Sequence, residues 1–598
     1  MIEPRVYRAA FVPALLAVVL AMFSFESRPR PLPQGLAADV LFDGAQAAQL
    51  AGRIATDAPD RRAGSPGDRA TAELVADAFA ARGFSGGRPG RPQVQRFTHA
   101  GHDLVNVIGY RAGRSRRVVL IVAGRDAATV PEAPGSAADT AALMQLARVF
   151  QGRPSQKTLL LASVDGSNLG EVGTSELIKD LPSPDFVDAV LVISDLGSRT
   201  SSGSLLQAWS DDATRAGIGL QRTAADSIRQ EFGDSDAGSG AFGQFARLSF
   251  PIGIGAQGAL LEAGYDAVRI SGTGELPPEG NGPVEAIDAD HLGMLGRATL
   301  RTLTAVDQGG RPKHGPESYV QAVSQILPGW VISLLAGTLL LPVLVASVDA
   351  FARARRRHVD VLRWLRWVAA WVAPFLAGLA LIQFLALVGA TPAPPPAPVP
   401  PDVLPLDGAA LAVLAGVAVT MLLALLLGRW LAARPDPDLR EPVEPGAGVA
   451  LALAIATGSL LLWLVNPYAG LLAVPAAHLW MLTVLTRPMP PRRLRAVLIG
   501  AGVAPAVLVA VYYMFALSLN PLHGAWYLLM LLAGHSVGIV LALLGCLMLA
   551  AACATSEVAW RSPDEGEDEQ GSRGPPVYGP GSYAGPGSLG GTQSALRR

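Results

Sequence analysis

The sequence predicts two fold classes in one chain: an α/β domain with a mostly parallel sheet and helices on both faces, and an all-α polytopic membrane bundle. Three observations predict this. Half of the 598 residues are hydrophobic and 16% are charged, and the mean hydropathy of +0.34 is too apolar for an ordinary soluble protein. The apolar residues concentrate in the first 25 positions and from about residue 326 onward. Between those regions, short apolar runs alternate with amphipathic helical patterns.

The first element is an apolar run, Ala9 to Phe25, flanked by Arg5 and Arg8. No small-x-small cleavage site follows it, so it reads as an uncleaved anchor, and residues 1–26 form the first unit. Residues 27–325 form the α/β unit. Residues 67–83 carry apolar positions at helical spacing and end in Gly83, a helix with a C-cap. Residues 104–111 and 116–123 read as strands, 136–150 as a helix, 158–164 and 188–195 as buried strands, 266–271 as a further strand, and 288–306 as a closing helix. In parallel sheets the chemistry sits at the carboxyl ends of strands. The positions to inspect are therefore Gly124–Asp126, Asp165–Asn168 and Asp195.

Seven apolar segments follow, at about 326–348, 367–390, 409–428, 446–465, 468–486, 496–518 and 525–553, each long enough to cross about 30 Å of hydrocarbon. Residues 326–553 thus form a seven-helix membrane unit. Arg353, Arg355, Arg356, Arg357, Arg363 and Arg366 follow the first segment. Arg429, Arg434 and Arg440 follow the third, and Arg487, Arg492, Arg493 and Arg495 the fifth. The alternate loops 391–408, 466–467 and 519–524 carry no Lys or Arg. The positive-inside rule then puts both termini in the cytoplasm and residues 27–325 outside the plasma membrane. The loop 391–408 is proline-rich and reads as polyproline II. Residues 554–598 hold an acidic run, Asp564 to Glu569, and then a Gly/Pro/Ser/Tyr-rich stretch, as expected of a disordered cytoplasmic tail.

Net charge is -1, which gives no footprint for nucleic acid. The two cysteines, Cys546 and Cys553, lie in the last apolar segment and read as apolar fillers, so no disulfide framework or cysteine zinc site exists in the α/β unit. Polar residues within the apolar segments are few: Gln383, His478 and His535, with Tyr512 and Tyr513. None of the seven segments carries Asp, Glu, Lys or Arg at its middle, and an ion transporter ordinarily needs such groups. The two histidines are expected to bond across helices or lie near an interface.

The run Arg61-Arg62-Ala63-Gly64-Ser65-Pro66-Gly67-Asp68-Arg69, its helix, and Asn106-Val107-Ile108-Gly109 resemble the bacterial zinc aminopeptidase family, with leucyl aminopeptidases and glutamate-carboxypeptidase-like exopeptidases. The resemblance covers residues 44–307 and includes Ala123-Gly124-Arg125-Asp126, the strand ending in Asp195, and the segment from Asp288. It implies a zinc-exopeptidase-like fold. Family enzymes hold two zinc ions through His, a bridging Asp, Glu, Asp and His, with a further Glu as general base. Here Gly124 stands for the first His, Ser167 and Asn168 for the paired glutamates, and Gln257 for the last His. The turn before the helix looks shortened and puts Asp139 on the family's Gly. Only Asp195 and the supporting Asp126 match the motif positions. Asp165, Glu171, Glu132 and Asp139 lie near strand ends as substitute donors, while His99, His102, His291 and His314 fall on no motif position. Arg125 is expected to form a salt bridge with Asp126 where metal sits in the family.

The expected pocket residues are therefore Asp126, Asp195, Arg125, Asp165, Asn168 and Gln257, with no catalytic residue and no metal or other cofactor. The expected function is a non-catalytic, peptidase-like binding or scaffolding protein of the cell envelope. Its partners would be the lipid bilayer and a peptide or envelope protein. One alternative is an active membrane zinc exopeptidase with atypical ligands, which would need zinc; another is a transporter. The layout of anchor, degenerate peptidase domain and bundle is similar to the attachment subunit of the GPI-transamidase complex.

Overall fold

A computed structural model describes residues 3–33, 41–86, 92–198, 204–233, 240–277, 282–322, 325–433, 445–486 and 489–561. The chain begins with α1 (Pro4–Ala9) and α2 (Val12–Phe23), a kinked apolar rod, followed by the short strand β1 (Glu26–Ser27). Helix α3 (Gly44–Asp57) is capped by the Asp43 carboxylate. Helix α4 (Pro66–Ala81) starts where the Ser65 hydroxyl accepts from the Asp68 amide and Pro66 fills a first-turn position that needs no donor.

Strands β2 (Gln93–His99) and β3 (His102–Arg111) form a hairpin closed at Ala100 and Gly101, both left-handed. Next come β4 (Val118–Gly124), α5 (Ala138–Val149), β5 (Thr158–Val164), α6 (Val172–Asp180) and β6 (Val187–Ser194). They are followed by β7 (Leu206–Gln207), α7 (Ile218–Phe232), α8 (Ala241–Ser249), α9 (Ala256–Glu262), β8 (Ala267–Ser271) and α10 (Ala289–Gln308). The sheet order is β2-β3-β5-β4-β6-β8-β7. Its four central strands β5, β4, β6 and β8 are parallel and almost wholly buried, which explains their unbroken Val/Ile/Leu/Ala runs. The edges β2–β3, β3–β5 and β7–β8 are antiparallel, so the sheet is mixed. The expected largely parallel sheet holds at the centre only.

Strands β9 (Tyr319–Gln321) and β10 (Gln325–Pro328) join β1 in a small antiparallel sheet, with Glu26 opposite Ile326. Both connections between the α/β domain and the apolar helices are thereby tied together. The apolar helices are α11 (Gly329–Arg356), α12 (Val361–Leu387), α13 (Gly408–Ala433), α14 (Pro445–Val465), α15 (Pro467–Leu485), α16 (Arg492–Ala516), α17 (Pro521–Ala533) and α18 (Ile539–Arg561). Among the described residues, eight spans, one at the N-terminus and seven here, are long and apolar enough to cross a membrane. This is a multi-pass membrane protein.

The predicted last segment, 525–553, is corrected. It is two helices broken at Gly534–Gly538, where His535 is left-handed. The 13-residue α17 is about 20 Å long, short of a crossing, and α18 spans instead. Residues 554–561 continue α18 rather than starting the tail. Residues 562–598, Arg434, Arg440 and Arg487 lie outside the described residues.

The α/β domain is seated on the bundle. The Asn466 side-chain amide donates to the carbonyls of Leu248 and Ser249 at 2.9 and 3.3 Å, closing the end of α8. Its oxygen accepts from the amides of Tyr468 and Ala469, capping α15. Tyr513 donates to the Phe250 carbonyl, and Arg247 donates to the Tyr512 hydroxyl. His478 bonds across helices, to Tyr7 and to the Leu339 carbonyl. The Gln383 amide donates to the Leu532 carbonyl beside the break.

Candidate site at the strand tips

The carboxyl ends of β4, β5 and β6 meet at a small cavity of about 110 Å³. Asp126 follows Gly124 at the tip of β4. Its carboxylate accepts from the backbone amides of Ser167 (2.8 Å) and Asn168 (3.0 Å) and from the Asn168 side chain (3.1 Å). Asp126 thus organises the turn after β5, which Gly166 and Gly170 enter and leave in left-handed conformations. Asp139, on the first turn of α5, accepts from the amides of Asp195 (2.8 Å) and Leu196 (2.9 Å). It therefore fixes the tip of β6. Asp195 is itself left-handed at φ 55°, a strained geometry for a non-glycine residue. Its carboxylate accepts from Thr273 and Ser194 at 3.2 and 3.3 Å. Glu132 accepts from Ser136 (2.8 Å) and Glu171 from Thr174 (2.7 Å).

Burial pushes all five carboxyl groups up. Glu132 reaches about 8, through burial first and the Asp195 charge second. Glu171 reaches about 7 by burial. Asp126, Asp139 and Asp195 also move up, chiefly by burial.

The cation of this site is Arg269, in the middle of β8. It lines the cavity and donates to the carbonyls of Ile254 (2.9 Å), Gly274 (2.7 Å) and Glu275 (2.9 Å). Burial lowers its guanidinium, opposed by the charges of Asp195, Glu275, Glu171 and Asp139. Sequence reasoning missed it. An arginine within an otherwise apolar strand was the available signal, because a buried guanidinium must find acceptors.

Three of the six expected pocket residues, Asp126, Asn168 and Asp195, line the cavity together. Gln257 lies beside it: its amide donates to the Ile254 carbonyl, while its buried oxygen has no partner. Arg125 and Asp165 are not in its lining. The expected Arg125–Asp126 salt bridge is corrected. Arg125 is fully buried and forks onto Asp68 of α4 at 2.8 and 2.7 Å, with a further bond to the Val105 carbonyl. Asp126 is turned to the 167–168 amides and the Asn168 side chain, so its charge still favours the Arg125 guanidinium but no ion pair forms between them. Asp165 lies 3.7 Å from Arg125 and accepts from the Val105 amide. Burial pushes its carboxyl up to about 8.

A lid from the membrane half closes the site. Pro398 and Pro400, in the loop between α12 and α13, line the cavity. The loop is held at its Pro395 carbonyl by Ser536, at its Val399 carbonyl by Tyr527, and at Leu404 by His523. Gly170 touches Pro396 so closely that a Cβ there would sit 2.6 Å from its ring.

These residues do not fit the zinc pair that the resemblance implies. Zinc takes imidazole, thiolate or carboxylate donors with free lone pairs. No histidine lines the cavity. Asp126 and Asp139 each accept from two backbone amides, so their orientation is set by the turns they hold, and Arg269 puts a positive charge among the remaining carboxylates. At Gly124, where the family places its first histidine, a Cβ would meet the Ser167 hydroxyl at 2.8 Å. Among the described residues, no group of three His, Cys, Asp or Glu side chains is placed to hold a metal ion.

No protein-family model matches the chain, and no curated protein matches its sequence. Solved structures similar to the α/β half include a glutaminyl cyclase of an Acidobacteriales bacterium, 17% identical, covering 48% of this chain and 100% of that one, with a TM-score of 0.35. They also include BSAP, a zinc aminopeptidase from Bacillus subtilis, at 14% identity, 46% and 95% coverage and a TM-score of 0.36. LapB from Legionella pneumophila matches at 15% identity, 49% and 81% coverage and 0.37.

Proposed function

We propose that this protein is a pseudopeptidase: a non-catalytic, multi-pass membrane protein whose α/β domain serves as a binding or scaffolding module of the cell envelope. The observation that carries this reading is the state of the strand-tip cavity. At about 110 Å³ it is well below the roughly 300 Å³ at which small-molecule sites begin. Two of its carboxylates, Asp126 and Asp139, hold backbone amides, the other three accept from hydroxyls, its cation is an arginine, and prolines roof it.

The reading includes a topology, with residues 27–325 outside the plasma membrane and both termini in the cytoplasm. Support comes from which loops meet the α/β domain. The Lys/Arg-free segments at Pro396, Asn466 and Ser518 all touch it or line a cavity with it. The arginines at the end of α11 and the start of α16 belong to the opposite ends of their helices. Its partners in this reading are the bilayer and a peptide or protein of the envelope.

The test uses the full chain in detergent, loaded with excess zinc and dialysed. Amino-acid p-nitroanilides and a peptide with N-terminal glutamine serve as substrates, because the similar structures include an aminopeptidase and a glutaminyl cyclase. No turnover and substoichiometric zinc are expected. Stoichiometric zinc with chelator-sensitive turnover would overturn the reading.

A further inference from the structure

A larger cavity lies elsewhere. It measures about 860 Å³ and opens between the α/β domain and the end of α16. Five arginines line it: Arg28, Arg215, Arg222, Arg229 and Arg247. Two are neutralised, Arg229 by Asp226 at 3.0 Å and Arg247 by Glu275. Among the described residues, Arg28, Arg215 and Arg222 have no carboxylate within ion-pair distance.

Arg215 is 6% exposed. Its charge lies over the faces of Trp209 and Tyr319, at 4.3 and 4.9 Å from the ring centroids, and Nη1 donates to Gln244 at 2.9 Å. Its Nε is buried without an acceptor, as is the Nε of Arg28. The nearness of Arg28 lowers Arg215 further, after burial has already done so. Of Arg28, Arg215 and Arg222, only Arg215 is buried; its partnerless Nε and that of Arg28, whose Nη2 donates to the Ala322 carbonyl, are donors that an anion entering the cavity would satisfy.

The cavity wall supplied by α16 is apolar: Phe515, 82% exposed, and Ala516, with Ser518 beyond them. Phe242 on α8, 46% exposed, and Trp330 at the start of α11, 55% exposed, stand at the same junction. Of these, Trp330 is of the kind enriched at a membrane–water boundary. The space therefore offers guanidinium forks suited to phosphate on one side and an apolar exit on the other.

We propose that this cavity binds a phosphate-bearing anion through Arg215, Arg222 and Arg28. Two sources share that chemistry, a phospholipid headgroup entering past Phe515 and a soluble phosphate ester. The proposal concerns a site separate from the strand tips and stands whether or not those tips are inert.

The test measures thermal stability and binding of the full chain in nanodiscs. One arm raises the phosphatidylglycerol fraction in phosphatidylcholine; the other adds glycerol 3-phosphate to phosphatidylcholine discs. Arg222→Gln is the main variant, because among the described residues Arg222 makes no hydrogen bond or ion pair that its loss would break. Arg215→Gln is the second, and Arg62→Gln, on an exposed surface, is the control. Saturable stabilisation in either arm, weakened about tenfold or more by Arg222→Gln and unchanged by Arg62→Gln, is expected. Response only to phosphatidylglycerol assigns the lipid headgroup, and response to glycerol 3-phosphate assigns the soluble ester. No saturable response in either arm, or equal response from wild type and Arg222→Gln, overturns the proposal.

Discussion

Arg125 and Asp68 show what a buried charge requires in this domain. The guanidinium meets the carboxylate along both forks with no solvent access, and two carbonyls and a hydroxyl complete its shell. Removing one partner strands the other, so Arg125→Ala or Asp68→Ala should each cost about 3–5 kcal/mol. The paired change Asp68→Leu with Arg125→Met should recover much of that loss. Chemical denaturation of the α/β domain within the full chain reads all three; a double variant no better than the singles would count against a simple ion pair.

Glu132 makes a second residue-level prediction. Its ordinary value of 4.5 rises to about 8 in the folded protein, so the folded domain keeps a proton that the unfolded chain releases above about 4.5. That stabilisation is complete below 4.5 and is lost as the pH rises through 8. Glu171 and Asp165, raised to about 7 and 8, act with the same sign. The variant Glu132→Gln removes one of these titrations. Its Tm should match wild type near pH 5 and exceed it by about 2–4 °C near pH 9. Equal Tm differences at both pH values would contradict the assignment.

At the scale of elements, Asn466 connects the two halves by capping α15 with its oxygen and closing α8 with its amide. Asn466→Ala removes an N-cap, worth about 1 kcal/mol, and leaves two carbonyls without that donor. Hydrogen exchange should accelerate at 468–470, where the Tyr468 and Ala469 amides lose their acceptor, and at 246–250, while the central strands stay protected. The elements also show what the sequence could reveal. Strands β4, β5, β6 and β8 were legible because burial on both faces demands continuous apolar runs. Strand β2 was not: an edge strand of Gln, Arg, Thr and His has no such run, and only its turn at Gly101 hints at a hairpin. The break between α17 and α18 was hidden for the opposite reason. Gly534, His535 and Ser536 sit inside an unbroken apolar stretch, and hydropathy averages over them. Asp126, Asn168 and Asp195 were legible from strand-tip logic. The partner of Arg125 lies 57 positions upstream, and the prolines over the cavity lie more than 200 positions downstream, separations that local pattern cannot bridge.

At the scale of the whole molecule, the loop over the strand tips depends on which side of the membrane each connection occupies. The α/β domain is joined to the bundle at β1 and β10, rests on Asn466 and is roofed by residues near Pro398. All of these must share one side, and arginine-rich connections must occupy the other. Single cysteines in a background lacking Cys546 and Cys553 test this in intact cells. Thr391→Cys should react with a membrane-impermeant maleimide before lysis, because it lies on the segment leading into the proline loop. Arg357→Cys, at the end of α11, should react only after lysis. Reversed labelling would put the α/β domain in the cytoplasm. Residues 27–325 would then lie outside the envelope space, and the proposed scaffold would have no envelope peptide or protein within reach. The phosphate site would survive that reversal, since its arginines and Phe515 sit at the membrane boundary on whichever side the domain faces.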